Sequence, residues 1–184
     1  MSIAVRRLRP DDDRSAFASG DPDLDRFFQR FAGQNQFKHY LGTTYIAVED
    51  EAILGFATVS ASQIEIRDLP AERQRKLPRY PLPVLRLARL AVDRGAQGRG
   101  IGLTLLKAVF LLARRMAHDY GCVGVLVDAK PAAVAFYERF GFTPLQISEG
   151  ELGDRPAPLP MFLEIGAIPP SDQEPPGDGE PGST

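Results

Sequence analysis

The sequence has one cysteine, two histidines and no long apolar run among its 184 residues. A lone cysteine excludes an intramolecular disulfide and suits a reducing compartment, so we expect a cytoplasmic protein. Cys122 precedes the apolar run 123–127 and is expected to be a small buried side chain. No Cys/His cluster has metal-ligand spacing, no stretch reaches the ~18 apolar residues of a membrane span, and the N-terminus lacks a signal-peptide core. These absences argue against a metalloprotein, a membrane protein and a secreted protein.

Charge is divided unevenly along the chain, although 22 basic and 24 acidic residues leave a net charge of only −2. Residues 1–148 contain 21 basic and 16 acidic side chains, a net +5, whereas residues 149–184 contain one and eight, a net −7. The last nineteen residues hold five prolines, four glycines and four acids, and almost nothing apolar to bury. We therefore predict one globular domain over residues 1–165 and a disordered acidic Pro/Gly-rich tail over residues 166–184.

The most informative segment is a glycine-rich turn between an apolar strand and a helix. It has the pattern Q-x-x-G-x-G and reads Gln97-Gly98-Arg99-Gly100-Ile101-Gly102. Glycines let a ligand approach the backbone, and the helix start offers unpaired N–H groups and a positive dipole end. These features suit a pyrophosphate, with Arg99 as added charge. The turn is neither a Walker A loop nor a good Rossmann fingerprint, and a tight strand-to-helix connection also explains it.

A second motif follows forty residues later and reads Ala135-Phe136-Tyr137-Glu138-Arg139-Phe140-Gly141-Phe142. The two motifs together resemble the GNAT superfamily of acyl-CoA-dependent N-acetyltransferases, over about residues 3–165. The resemblance implies an α/β (mixed α+β) fold, the GNAT fold, with a central mixed, splayed β-sheet flanked by helices. It also implies acetyl-CoA as co-substrate and no metal.

Hydrophobic periodicity and turn residues predict where the helices and strands lie. The first helix is expected to open at Asp21-Pro22-Asp23 and to bury a stripe formed by Leu24, Phe27, Phe28 and Phe31. A longer helix should follow the glycine turn and end at Gly121, and a shorter one should run from Pro131 to about Phe140. Strands are predicted over residues 3–8, 43–49, 53–60, 86–92, 123–127 and 161–165, with a basic, proline-punctuated loop over 70–83.

Acetyl transfer from a thioester to an amine needs a held donor, a neutral amine, a hydrogen bond to the carbonyl oxygen and a proton for the leaving thiolate. The resemblance implies that Leu90, Ala91 and Val92 lie along the pantetheine arm, with a backbone N–H near Leu90 or Val92 bonding the acetyl carbonyl. It places the pyrophosphate on residues 97–102.

The resemblance also implies that Tyr137 protonates the departing sulfur. A phenol with an ordinary pKa near 10 is protonated at pH 7, as an acid must be. From its residues alone, Tyr137 is better explained as a helix aromatic packed on the core, and only the two motifs together favour catalysis. His39 and His118 are expected to be structural or solvated. A site without an obvious base favours an α-amine, whose pKa is near 8, over a lysine near 10.4.

Four segments narrow the resemblance further; they span residues 20–27, 42–48, 54–60 and 83–93. They resemble the GNAT toxins of type II toxin–antitoxin modules, which implies acetylation of the α-amine of aminoacyl-tRNA, inhibition of translation and a ribbon-helix-helix antitoxin. We also expect a homodimer. The candidate tRNA-binding residues form a basic set that a solvated loop explains equally well: Arg73, Arg75, Lys76, Arg79, Arg86 and Arg89.

Two other functions remain open at this point. One is a housekeeping GNAT enzyme that acetylates a protein N-terminus or a small amine. The other is a non-catalytic acyl-CoA-binding module, which would keep the glycine turn yet tolerate loss of Tyr137. A tRNA-binding protein should show steep salt dependence that the other two lack.

Overall fold

A computed structural model describes residues 2–145 and 158–169 of the chain. Seven strands form one mixed sheet in the order β1-β2-β3-β4-β5-β7-β6. The strands are β1 Ala4–Arg7, β2 Thr43–Glu49, β3 Ala52–Ile64, β4 Leu82–Val92, β5 Gly124–Ala129, β6 Thr143–Pro144 and β7 Leu159–Glu164. Within the described ranges, β4 and β5 are the one parallel pair, and the other neighbours run antiparallel. The predicted fold class is confirmed.

The longest helix covers one face of this sheet. The helices are α1 Pro22–Arg26, α2 Ala32–Phe37, α3 Ala71–Gln74, α4 Ile101–Asp119 and α5 Val134–Arg139. The buried side of α4 follows the predicted spacing and consists of Ile101, Leu105, Leu106, Val109, Ala113 and Met116. These side chains pack with Leu87, Val125 and Val127 of the central strands. The predicted stop is also confirmed, because Gly121 has φ 108° and its N–H bonds the Met116 carbonyl at 2.9 Å.

The opposite face is covered near β1–β3 by the first helical segment. Phe28 stacks on Phe56 of β3 with ring centroids 4.4 Å apart, and Phe27 is buried beside them. The predicted stripe is wrong at its last position, because Phe31 is 42% exposed. The cause is a π-helical turn, Phe27–Phe31, in which the Ala32 N–H bonds the Phe27 carbonyl. An i→i+5 turn carries each following side chain away from the face expected for 3.6 residues per turn.

The remaining differences from the predictions concern boundaries. β4 begins at Leu82 rather than at 86, and the basic loop contains the short helix α3. The two-residue strand β6, for which no strand was predicted, lies outside β7 and forms the edge of the sheet. Cys122 is buried as expected, and burial raises the pKa of its thiol.

The part of the predicted tail that the structure describes is packed on the domain. Residues 165–167 form a 3₁₀ turn, and Ile168 is 3% exposed in the core beneath α4. The folded domain therefore includes Ile168, while residues 170–184 lie outside the described ranges.

Gly124 is a sharp test of packing between β5 and β7. A Cβ at this position would lie 2.2 Å from the Leu163 carbonyl oxygen and 2.5 Å from the Phe162 ring. The Leu163 carbonyl can move away only if the β5–β7 pairing is distorted. We therefore expect Gly124→Ala to lower the free energy of unfolding by about 1–3 kcal/mol in urea titrations. Gly166→Ala is the matched control, since its Cβ meets no atom within 4 Å. Equal unfolding midpoints for the two variants would contradict the described β5–β7 packing.

Candidate active site between the splayed strands

A cleft opens where the two parallel strands part. β4 and β5 pair from Leu85 opposite Val125 to Leu87 opposite Val127. Both strands continue beyond this point, to Val92 and Ala129, and in the described ranges β4 there pairs with β3 alone. The space between them has a volume of about 250 Å³. The backbone of residues 88–92 therefore has one edge available for hydrogen bonds to an extended ligand.

A β-bulge at Ala88 decides which side chains line this cleft. Arg89 pairs with Thr58 and Leu87 with Val59, so Ala88 has no partner in β3. The extra residue puts Leu87 and Leu90 on the α4 face, and it puts Arg86 and Arg89 together on the opposite face. The cleft is lined from both faces and so passes through the sheet.

Tyr137 of α5 lies on the α4 side of the cleft. It is 5% exposed and contacts the rings of Phe136 and Phe142 edge-on, with centroids 5.2 and 5.4 Å away. Its hydroxyl makes no hydrogen bond to any group of the described residues. Burial raises the pKa of this phenol to about 12, so the hydroxyl is neutral at physiological pH. The cleft thus contains a protonated, unpartnered hydroxyl that can donate to a ligand.

The glycine turn builds the start of α4 beside this cleft. Gly98 and Gly100 have φ 80° and 78°, in the left-handed region that favours glycine. Gly100 is the N-cap and leaves the helix start without a side-chain cap, and the first helical bond runs from the Thr104 N–H to the Gly100 carbonyl at 3.0 Å. The N–H groups before Thr104 are thus left for an anion. A Cβ on Gly102 would lie 3.4 Å from the Phe136 ring, so this helix start adjoins α5.

Two side chains of the turn are engaged with the protein. The Gln97 amide donates to the carbonyls of Ser19 at 3.0 Å and Val92 at 3.3 Å, and so holds the turn against the N-terminal segment. The Arg99 guanidinium pairs with Glu49 at 2.8 Å. An anion could therefore be offered only the backbone and glycines of residues 97–102, while the side chains of Gln97 and Arg99 hold the turn in place.

Ion pairs line the side of the cleft opposite α4. Lys130 pairs with Asp21, and Arg86 pairs with Asp128 at 2.7 Å. Asp21 also caps α1 as predicted, accepting from the N–H groups of residues 23 and 24. Sequence reasoning missed Asp21, Asp128 and Lys130 as site residues, because only the folded chain brings positions 21 and 130 together. Each is nevertheless a charged residue beside a predicted element boundary.

The basic residues proposed from the sequence fall into two groups. Arg89 lines the cleft, where its guanidinium lies 3.7 Å from the centroid of the Phe27 ring. Arg86 adjoins the cleft through its ion pair with Asp128. Desolvation, with Arg86 adding to it, lowers the pKa of Arg89. The other group lies on the basic loop, residues 70–83, and consists of Arg73, Arg75, Lys76 and Arg79. Arg73 pairs with Glu164, whereas the other three are exposed and have no ion pair within the described ranges.

The cleft has no histidine among its described lining residues. His39 and His118 are both exposed on other parts of the surface. In residues 2–145 and 158–169 there is no cluster of His, Cys, Asp and Glu able to hold a metal ion. No helix of the same ranges combines the length and the apolar character that crossing a bilayer requires.

Comparison with known proteins supplies independent findings. The model of the acetyltransferase (GNAT) domain family matches residues 41–144. The tRNA-acetylating toxin of Mycobacterium tuberculosis is 35% identical over 142 residues, which cover 76% of this chain and 83% of that protein. The structure of AtaT complexed with acetyl-methionyl-tRNAfMet is 27% identical, with a TM-score of 0.79 over 91% of this chain and 97% of AtaT. The structure of AtaTR bound with acetyl-CoA is 26% identical, with a TM-score of 0.74 over 90% and 95%.

Proposed function

Because this chain belongs to the GNAT acetyltransferase family, we propose that it acetylates the α-amine of aminoacyl-tRNA and so acts as a toxin that inhibits translation. One observation carries the reaction: the cleft passes through the sheet and has the neutral Tyr137 hydroxyl on its wall. Donor and acceptor can enter from opposite faces and meet, so no enzyme nucleophile is required. The tRNA-acetylating relative and the tRNA complex of AtaT support the choice of acceptor.

The donor side is formed by β4 and the start of α4. Residues 97–102 offer glycine backbone and unpaired N–H groups, which suit the pyrophosphate of acetyl-CoA. The free edge at Leu90, Ala91 and Val92 suits the amides of the pantetheine arm, because an extended ligand can pair there as an added strand. A backbone N–H near Leu90 or Val92 bonds the acetyl carbonyl oxygen as it gains negative charge.

The chemical step is direct attack by the amine. The neutral α-amine forms a C–N bond to the acetyl carbon, and the C–S bond of the thioester breaks. Tyr137 donates its proton to the leaving sulfur, and the proton lost by the new amide nitrogen passes to solvent. An α-amine with a pKa near 8 is substantially deprotonated at neutral pH, which agrees with the lack of a histidine in the described cleft lining.

The acceptor side carries the positive charge. Arg86 and Arg89 face away from α4 at the cleft, and the basic loop lies over the same sheet face, because Leu69 and Leu77 pack with Val84, two residues before Arg86 on β4. The cations of the loop and of β4 can therefore contact successive phosphates of the tRNA from the loop to the cleft. The partly engaged Arg73 and Arg86 would contribute less than Arg75, Lys76 and Arg79.

Neutralising the basic loop should flatten the salt dependence of tRNA use. Arg75→Gln/Lys76→Gln/Arg79→Gln removes up to three phosphate contacts, so the slope of log affinity against log salt should fall by about 2. The KM for acetyl-CoA should stay unchanged. The control is Lys107→Gln/Arg115→Gln, which removes two exposed cations from α4. An unchanged slope in the loop variant would remove the loop from the tRNA interface.

The deciding experiment incubates the protein with the full set of charged tRNAs and labelled acetyl-CoA. We expect the label in N-acetyl-aminoacyl-tRNA. Label on protein N-termini or small amines instead would replace this proposal with a housekeeping GNAT enzyme. Acetyl-CoA binding with no transfer to any amine would identify a non-catalytic binding module.

Two partners belong to the same proposal. A ribbon-helix-helix antitoxin is expected from the resemblance to type II toxins, and a second copy of the chain is the other expected partner. Co-expression with the product of the adjacent reading frame tests the first, and light scattering of the purified protein tests the second. We further propose that residues 1–168 are the catalytic domain, with the acidic residues beyond them dispensable for chemistry.

A further inference from the structure

A second cavity lies away from the candidate active site. It has a volume of about 550 Å³ and lies beside the start of β5, whereas the catalytic cleft opens at the other end of that strand. Its floor is apolar and is formed by Leu69, Leu77, Val123 and Phe162. Its rim carries Lys76 and Arg73 of the basic loop, together with Glu164, which pairs with Arg73. The site therefore offers apolar surface and positive charge together.

The chain leaves the described fold at this cavity. Gly166 and Ala167 form part of its wall, Ile168 is buried directly after them, and Pro169 is exposed. Residues 170–184 therefore follow within three residues of the cavity wall formed by Gly166 and Ala167. Fifteen residues can span about 50 Å when extended, so length does not limit where they reach on this face.

The composition of residues 170–184 matches the cavity. They contain four acids and no Lys or Arg; the acids are Asp172, Glu174, Asp178 and Glu180. They also contain four prolines. Proline rings are apolar and lose little conformational freedom on binding, so they suit an apolar floor. Three cations of the basic loop have no ion pair within the described ranges, and these acids can supply one.

We propose that residues 170–184 bind this cavity and the basic loop of their own chain, and so compete with RNA for Arg75, Lys76 and Arg79. The competition rests on the proposed tRNA function, but the binding of the segment does not. A tethered segment acts at an effective concentration in the millimolar range, so weak contacts suffice to occupy the loop. Bound RNA would displace the segment, because it presents a denser line of negative charge.

Zero-length carbodiimide cross-linking tests the binding without RNA. It joins a lysine amine to a carboxylate in contact with it, and mass spectrometry then identifies the pair. At low salt we expect Lys76 joined to Asp172, Glu174, Asp178 or Glu180 within one chain, with a yield that falls at 0.5 M salt. Lys76→Arg keeps the charge but removes the reactive amine, and should abolish the product. Lys76 joined instead to an acid of residues 146–157, to another copy of the chain, or to no acid would overturn the proposal.

The competition has its own test in tRNA binding. Asp172→Asn/Glu174→Gln/Asp178→Asn/Glu180→Gln removes the charge and keeps the length. We expect affinity for tRNA to rise several-fold at 50 mM salt in the otherwise unaltered chain. The same four changes should have no effect in the Arg75→Gln/Lys76→Gln/Arg79→Gln background, because the shared site is gone. An equal gain in both backgrounds would show long-range repulsion and overturn the competition, and failure of the tRNA proposal would leave the cross-link intact.

Discussion

Replacing Tyr137 by phenylalanine is expected to lower turnover by ~10²–10⁴-fold, the range for loss of a positioned general acid. Acetyl-CoA binding should be unchanged, because the ring and its contacts with Phe136 and Phe142 remain. Single-turnover kinetics with charged tRNA and a separate binding titration distinguish the two effects. Tyr120→Phe is the control, since that side chain is 74% exposed and lies on the surface. Turnover within twofold of the parent would mean that water or another group protonates the sulfur.

The same variant has a stability signature that does not depend on activity. The pKa of Tyr137 is about 12 in the folded protein and near 10 in an unfolded chain. As pH rises from 10 to 12, the unfolded chain therefore ionises this phenol while the folded protein does not, which favours unfolding. The parent should lose up to about 2 kcal/mol more stability than Tyr137→Phe over this interval. Parallel alkaline unfolding curves would contradict a buried phenol at this site.

Gly100→Asp is expected to weaken acetyl-CoA binding by about 100-fold. The added carboxylate stands at the N-cap of α4, and a like charge ~5 Å from a phosphate costs about 3 kcal/mol at the effective dielectric of a protein surface. The increase of the thermal midpoint by acetyl-CoA should accordingly disappear. The fold should survive, because a Cβ on Gly100 meets no atom within 4 Å and aspartate tolerates a positive φ better than most residues.

Gly100→Asn is the matched control for charge. Asparagine has nearly the same shape and the same tolerance for positive φ, so it should keep most of the stabilisation by acetyl-CoA. Loss of the shift in both variants would assign the effect to shape, and retention in both would remove the turn from the pyrophosphate site.

The parts of the fold that depend on local sequence were predictable. The periodicity of α4, the glycine that ends it and the Asp21 cap each follow from residues within one or two turns of each other. The π-helical turn after α1 could not be predicted, because it depends on how Phe27 and Phe28 fit against Phe56 of β3. The bulge at Ala88 could not be predicted either, since a bulge exists only relative to the neighbouring strand.

The candidate site divides in the same way. The glycine turn and Tyr137 stand in motifs; Tyr137 lines the cleft, and the turn adjoins α5 through the contact of Gly102 with the Phe136 ring. Asp21 and Lys130 are 109 positions apart, and no pattern in the sequence relates them. Arg99 illustrates the converse, because its place in the motif predicted a free charge, while the hairpin of β2 and β3 supplies Glu49 to pair with it. Motifs thus identified the backbone features of the site better than its charges.

The bulge at Ala88 makes the register of β4 as consequential as its composition. If Ala88 instead took an ordinary place in the ladder with β3, every side chain after it would exchange faces. Arg89 would then point into the hydrocarbon layer under α4, and Leu90 would replace it over the Phe27 ring. Such a change removes no functional side chain, yet it would bury the Arg89 guanidinium without a partner and reverse the two faces of β4 beyond Ala88. Deletion of Ala88 would instead leave Arg89 opposite Thr58 and keep every later side chain on its present face, because the residues on either side of the bulge are already in register with β3.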